Sequence, residues 1–106
     1  FWRTLLHDRE AYLETSVAAM FGAAFTKARR LGLLDDPRLD EAIERSWAAT
    51  CSRIDATGED HGVSAWTHAS ITPDDHPDRN LPTEVNWWGQ GAGLRAAAER
   101  LRAGLR

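Results

Sequence analysis

Apolar positions recur at helical spacing in three separate stretches of this chain. In the first, Val17, Met20, Phe21, Ala24, Ala28 and Leu31 fall on one stripe of a helix expected over about residues 15–31. Its other faces carry Ala18, Ala19, Gly22, Ala23 and Phe25, so the helix is apolar almost all round. That predicts burial on several sides, with small residues letting neighbouring helices approach closely. Lys27, Arg29 and Arg30 gather at the end where the helix dipole favours cations, and Gly32 is a natural left-handed stop. Ser16 or Thr15 is the expected N-cap, its hydroxyl accepting from an otherwise orphan N–H. This is an inner helix of something larger.

The second stretch reads as an amphipathic helix over about residues 37–55. Asp36 is placed to cap it, and Pro37 takes the first position, where a missing N–H costs nothing. Leu39, Ile43, Trp47, Cys51 and Ile54 form its apolar stripe, which makes Cys51 a small core residue rather than a nucleophile. Glu41 and Arg45 are spaced as an i,i+4 ion pair. The third stretch, about 90–103, buries Leu94, Ala97, Ala98, Leu101 and Leu105 and turns Arg95, Glu99, Arg100 and Arg102 outward. It opens on Trp87-Trp88-Gly89-Gln90-Gly91-Ala92-Gly93. Glycines this dense cost helix stability, so their place is where something approaches the backbone closely.

Between the second and third helices, residues 58–89 lack a helical period. Val63-Ser64-Ala65-Trp66-Thr67 alternates as a short strand, while Gly58, Gly62, Pro73, Pro77 and Pro82 punctuate the run. A loop of this length in a compact domain is usually functional. Asp60, His61, His68, Asp74, Asp75, His76 and Asp78 invite a metal reading, but they lack a ligand spacing and read as solvated turn chemistry. Residues 1–11 are a mixed lead-in with Trp2 and Leu5 pointing inward. His7 and Asp8 read as a surface pair.

Composition narrows the function classes. A net charge of −3 over 106 residues gives no electrostatic case for nucleic acid, and no apolar run reaches membrane-span length. The single Cys51 excludes an internal disulfide and a cysteine zinc site. The chain begins without an initiator Met or a signal-peptide pattern, so a piece of a longer, cytoplasmic protein is expected. Five tryptophans are many for this length, some of them core and some bordering a groove.

Inner helix, short turn, outer helix, long loop, small-residue helix is the pattern of an all-α barrel of helical hairpins, each burying one helix only against its neighbours. The connections 1–15 and 58–90 would emerge on one side, with function there, and the 32–36 turn on the other.

Trp2, Tyr12-Leu13-Glu14-Thr15-Ser16, Ala19-Met20-Phe21 and Lys27-Ala28-Arg29-Arg30-Leu31-Gly32-Leu33-Leu34 resemble a hairpin of the unsaturated glucuronyl and rhamnogalacturonyl hydrolases, glycoside hydrolase families 88 and 105. Trp47 in an outer helix, the loop after Gly58 and the glycine-rich third helix also resemble that family's closing hairpins. Trp87-Trp88-Gly89-Gln90-Gly91 stands where many members read Gly-Thr-Gly. The resemblance implies an (α/α)6 barrel, incomplete in this chain, of which residues 1–106 form the C-terminal portion. It implies hydration of the C4=C5 double bond of an unsaturated uronic acid at the non-reducing end of an oligosaccharide, without metal or cofactor. An Asp serves there as acid and base, and no position here matches its motif, so no catalytic residue is assigned. The expected partners are the oligosaccharide and the remainder of the barrel. Trp87, Trp88 and Trp66 are the candidates to stack on a sugar, one of the Trp87/Trp88 pair being packed in the core. Thr15 and Ser16 are candidates to bind it, with Glu14 behind them. Two other readings stay open: a non-catalytic helical interaction module, and part of another (α/α)-barrel sugar enzyme such as an epimerase.

Overall fold

The computed structural model describes residues 1–66 and 81–105. A two-residue strand β1 (Trp2–Arg3) pairs antiparallel with β2 (Leu13–Glu14), Trp2 opposite Glu14, and β2 runs directly into helix α1 (Thr15–Arg30). Helix α2 (Arg38–Cys51) follows; strands β3 (Val63–Ser64) and β4 (Thr83–Glu84) then pair antiparallel and lead into α3 (Trp87–Arg102). Helix α1 is the centre, packed along its length against both α2 and α3.

The helix ends follow local chemistry. Gly32 has φ 65°, and the Leu33 N–H reaches Ala28 O at 2.9 Å while the Gly32 N–H reaches Arg29 O at 3.1 Å, a Schellman closure. Gly104, with φ 72°, ends α3 the same way. At the head of α2 the Asp36 carboxylate accepts the Arg38 N–H at 2.9 Å. Glu41 and Arg45 meet at 3.3 Å. The cap of α1 differs from expectation. Glu14, in extended backbone, accepts the Ser16 N–H, so the carboxylate one residue earlier does what a Ser or Thr was expected to do.

The buried faces differ too. Helix α1 turns Thr15, Ser16, Ala18, Ala19, Gly22, Ala23 and Thr26 to its neighbours, whereas Met20, Phe21 and Leu31 of the expected stripe are 51, 42 and 50% exposed. Ala19, Ala23, Ala92 and Ala96 make the central contact, with Trp47 against it. Small side chains bring the backbones together; a Cβ on Gly22 would lie 3.0 Å from that of Ser46. Helix α3 likewise buries Gly89, Ala92, Gly93, Ala96, Glu99 and Arg100, leaving Leu94 and Leu101 72 and 74% exposed. Glu99 takes Arg30 at 3.0 Å and Arg102 at 2.7 Å, and these two cations hold its carboxyl below the usual range. Cys51 is exposed, because the seam of α2 runs through Ile43, Ser46, Ala49 and Thr50 and ends beside it. Leu5 is buried, and Trp2 meets Phe21 edge to face at 5.0 Å. No helix among the described residues is long and apolar enough to cross a membrane.

Candidate functional site

The heads of α1 and α3 lie at the same end of the molecule, stitched together by the strand residue Ser64. Glu14 reaches this point from β2, which is paired with β1. Its Oε1 accepts from Ser16 N at 3.1 Å and Ser16 Oγ at 2.7 Å; its Oε2 accepts from Ser64 N at 3.0 Å. The carbonyl of Ser64 in turn accepts from Asn86 Nδ2 at 3.0 Å and from the Trp88 indole N–H at 3.2 Å. Asn86 Oδ1 caps α3 by accepting the Gly89 N–H at 3.0 Å. The three glycines of this helix serve unequal purposes. Gly89 sits against Val63, where any Cβ would fall 2.5 Å from Val63 Cγ2, while no described residue lies within 4 Å of a Cβ on Gly91.

Beside this network lies a cavity of about 380 Å³, lined by Arg3, Tyr12, Glu14, Ser16 and Ser64 on its polar side and by Met20, Phe21 and Leu81 on its apolar side. Mixed walls of this kind, a few hydroxyls and charges facing an aromatic edge, suit a polyhydroxylated ligand. Of the residues expected from sequence, the structure brings Glu14 and Ser16 to the cavity wall. Thr15 is fully buried, its hydroxyl donating to His61 O at 2.9 Å. Trp66 is half exposed and Trp87 is 79% exposed, outside the cavity wall; Trp88 packs edge to face on Trp87 at 5.1 Å and touches the network through Ser64. Ser64 and Arg3 were not anticipated. Only the β1–β2 and β3–β4 pairings carry them here, and two-residue strands leave no periodic signal.

The acidic loop ahead of β3 resolves into two kinds of residue. At the surface, Asp55, Glu59 and His61 converge, and their contacts close a turn: Asp55 Oδ1 accepts from Thr57 N, Thr57 Oγ1 and Glu59 N, and its Oδ2 meets His61 Nε2 at 2.7 Å. Asp60, between them, is 1% exposed. Nothing in the sequence separates it from Glu59 or His61. The candidates His68, Asp74, Asp75, His76 and Asp78 lie outside the described residues, as does Thr67.

Residues 1–104 match the family model described as Glycosyl Hydrolase Family 88. The solved structure of a possible member of the GH105 family from Salmonella enterica serovar Paratyphi A superposes with a TM-score of 0.87 at 27% identity, over 98% of this chain and 27% of that one. A possible GH105 member from Klebsiella pneumoniae gives a TM-score of 0.87 at 27% identity, over 98% of this chain and 26% of that one. No curated protein matches the sequence. The chain spans about a quarter of the length of the solved structures it matches.

Proposed function

The chain belongs to Glycosyl Hydrolase Family 88 and consists of helical hairpins of an (α/α)6 barrel, and from that membership we propose that it closes the sugar site of an unsaturated uronyl hydrolase as its C-terminal portion. In this reading water adds across the C4=C5 double bond of the terminal unsaturated uronic acid, its oxygen to C5 and hydrogen to C4. The hemiketal so formed collapses and the remaining sugar leaves. The proton is moved by an Asp elsewhere in the barrel, and residues 1–106 supply wall and rim. Glu14, Ser16 and Ser64 line the sugar-facing cavity, Trp87 and Trp66 offer exposed ring faces, and Trp88 and Thr15 hold the frame.

The observation that carries the reading is the large apolar face of α1. Met20 and Phe21 are half exposed, and the Trp2 and Phe25 rings packed on Phe21 extend the patch. Leaving such side chains in water forgoes about 1.5–3 kcal/mol each, and in a complete barrel the neighbouring hairpin and a sugar in the cavity would together cover them. The test compares the full-length protein with residues 1–106 alone on unsaturated uronyl disaccharides, following the ultraviolet absorbance of the double bond. Absorbance is lost with the full-length protein and retained with the isolated segment. Turnover by residues 1–106 alone would overturn the assignment of the acid to another part of the barrel.

A further inference from the structure

Asp60 is a buried acid that no donor among the described residues serves. The stretch from Arg53 to Ser64 folds back at Gly58, pairs with itself at Ile54 and Asp60, and is fastened to the head of α1 just beyond Asp60. The fastenings are Thr15 Oγ1 to His61 O at 2.9 Å, Thr15 N to Gly62 O at 3.2 Å, and Ser64 N to Glu14 Oε2 at 3.0 Å. The Asp60 side chain is buried beside these ties, and among the described residues neither of its carboxylate oxygens has a hydrogen-bond partner. On the α3 side the neighbour is backbone: a Cβ on Gly93 would stand 3.6 Å from Asp60 Oδ2. A carboxylate without donors in such a place is costly as an anion and tolerable as a neutral acid.

The charged groups around it sharpen the contrast. From the β2–α1 junction comes Glu14, 3% exposed and surrounded by the donors of Ser16 and Ser64. From its own loop comes His61, bound at the surface to Asp55, while Arg53 is turned over the Phe1 ring at 5.0 Å. Burial, and after it the Glu14 carboxylate, push the Asp60 carboxyl above the usual range, with His61 drawing it partly back. Both acids are buried, and among the described residues the donors go to Glu14.

We infer that Asp60 is the neutral member of a buried acid pair with Glu14, and that its ionisation loosens the Arg53–Ser64 loop from the heads of α1 and α3. Because that loop positions Ser64, the pair is a pH-sensitive clasp under the candidate site. The sign follows from the raised folded-state value. The neutral form's contribution to stability is fully present below the unfolded carboxyl's pKa and is lost as pH rises through the folded one.

The experiment measures melting temperature against pH for the full-length protein, Asp60→Asn and Asp60→Val, with amide exchange at Val63 and Ser64 in each. Both variants melt above the parent at alkaline pH, and the advantage shrinks on acidification, vanishing only well below the ordinary Asp pKa of ~4, where the parent's acid is neutral in both states. Exchange at the two amides is slower in the variants by about tenfold at the alkaline end, and alike at the acid end. Curves that run parallel across the range would overturn the inference, and so would destabilisation by both substitutions at every pH. A third overturning result is stabilisation of the parent by millimolar calcium that both variants lack, since a cation rather than a proton would then occupy the pair.

Discussion

The Arg100 guanidinium meets the Glu44 carboxylate at 2.9 and 3.2 Å while lying 5.1 Å from the centroid of the Trp47 ring. Arg100 is 5% exposed and Glu44 58%, so the pair is buried at one end only. Its stem and plane fill the seam between α2 and α3. Much of its worth is therefore packing on Trp47, with a screened charge contact added. Arg100→Ala is expected to cost about 1–3 kcal/mol, and Glu44→Gln less than about 1 kcal/mol, because solvent already screens the carboxylate. Urea unfolding of the two variants checks the order. A larger loss for Glu44→Gln would mean that the charge contact dominates.

Arg100 also shows where the sequence was legible. The three helices, the Gly32 stop, the Asp36 cap and the basic end of α1 all rest on local chemistry, and all are read from neighbours in the chain. The buried faces are not. Helix α1 carries two apolar faces, one large (Val17, Met20, Phe21) and one small (Ala18, Ala19, Gly22, Ala23), and periodicity favours the large one. Close helix packing selects the small face instead, because backbones separated by alanine and glycine can approach further than those separated by leucine. The same choice in α3 buries Arg100 and exposes Leu94. The site suffers from distance rather than ambiguity. Glu14 and Ser64 are 50 residues apart, and no local pattern could pair them.

Two glycines in one turn of α3 should respond oppositely. Gly91→Ala meets open space and gains helix propensity, so it is expected to stabilise by up to about 1 kcal/mol. Gly89→Ala drives a methyl into the stiff, fully buried Val63, and overpacking of this kind costs about 1–3 kcal/mol. Adding Val63→Ala to Gly89→Ala should then be less harmful than the sum of the two. Thermal melts of the four proteins make the cycle, and strict additivity would show that the contact is not the cause.

The cap of α1 gives a second ordered pair. Glu14→Ala removes the acceptor for three donors, one of them the N–H of Ser64, and is expected to cost about 2–3 kcal/mol. Ser16→Ala removes a single hydroxyl and should cost about 1 kcal/mol. Ser16→Asp, harmless if Ser16 were the cap itself, instead sets a second carboxylate against Glu14 and should be the worst change at that position. Equal melts for Ser16→Ala and Ser16→Asp would return the cap to Ser16.

Asp55 has the opposite pH dependence to Asp60 within one loop. Donors from Thr57, then His61 and Glu59, hold its carboxyl far below the ordinary range. Its contribution is thus present above the unfolded carboxyl's pKa and is lost as pH falls through the folded one. Asp55→Asn should lower the melting temperature at neutral pH, and the deficit should close in strong acid. A deficit that persists unchanged in acid would show that the turn depends on the side chain's shape and not on its charge.

Trp87 and Trp88 are adjacent in sequence and separate in role. Trp88 spends its indole N–H on Ser64 O and packs beneath the network, so Trp88→Ala should destabilise the fold by about 3–5 kcal/mol less whatever its partial exposure returns. Trp87 is 79% exposed and makes its aromatic contact only with Trp88 among the described residues, so Trp87→Ala should leave the melting temperature nearly unchanged. If Trp87 borders the sugar, the same substitution weakens binding of an unsaturated uronyl disaccharide to the full-length protein by about 1–3 kcal/mol, the range of an interface hot spot. Calorimetric titration of the parent and both variants separates the two roles. Binding by Trp87→Ala at the parent's affinity would remove Trp87 from the rim and leave the cavity beside Glu14 and Ser16 as the remaining place for the ligand.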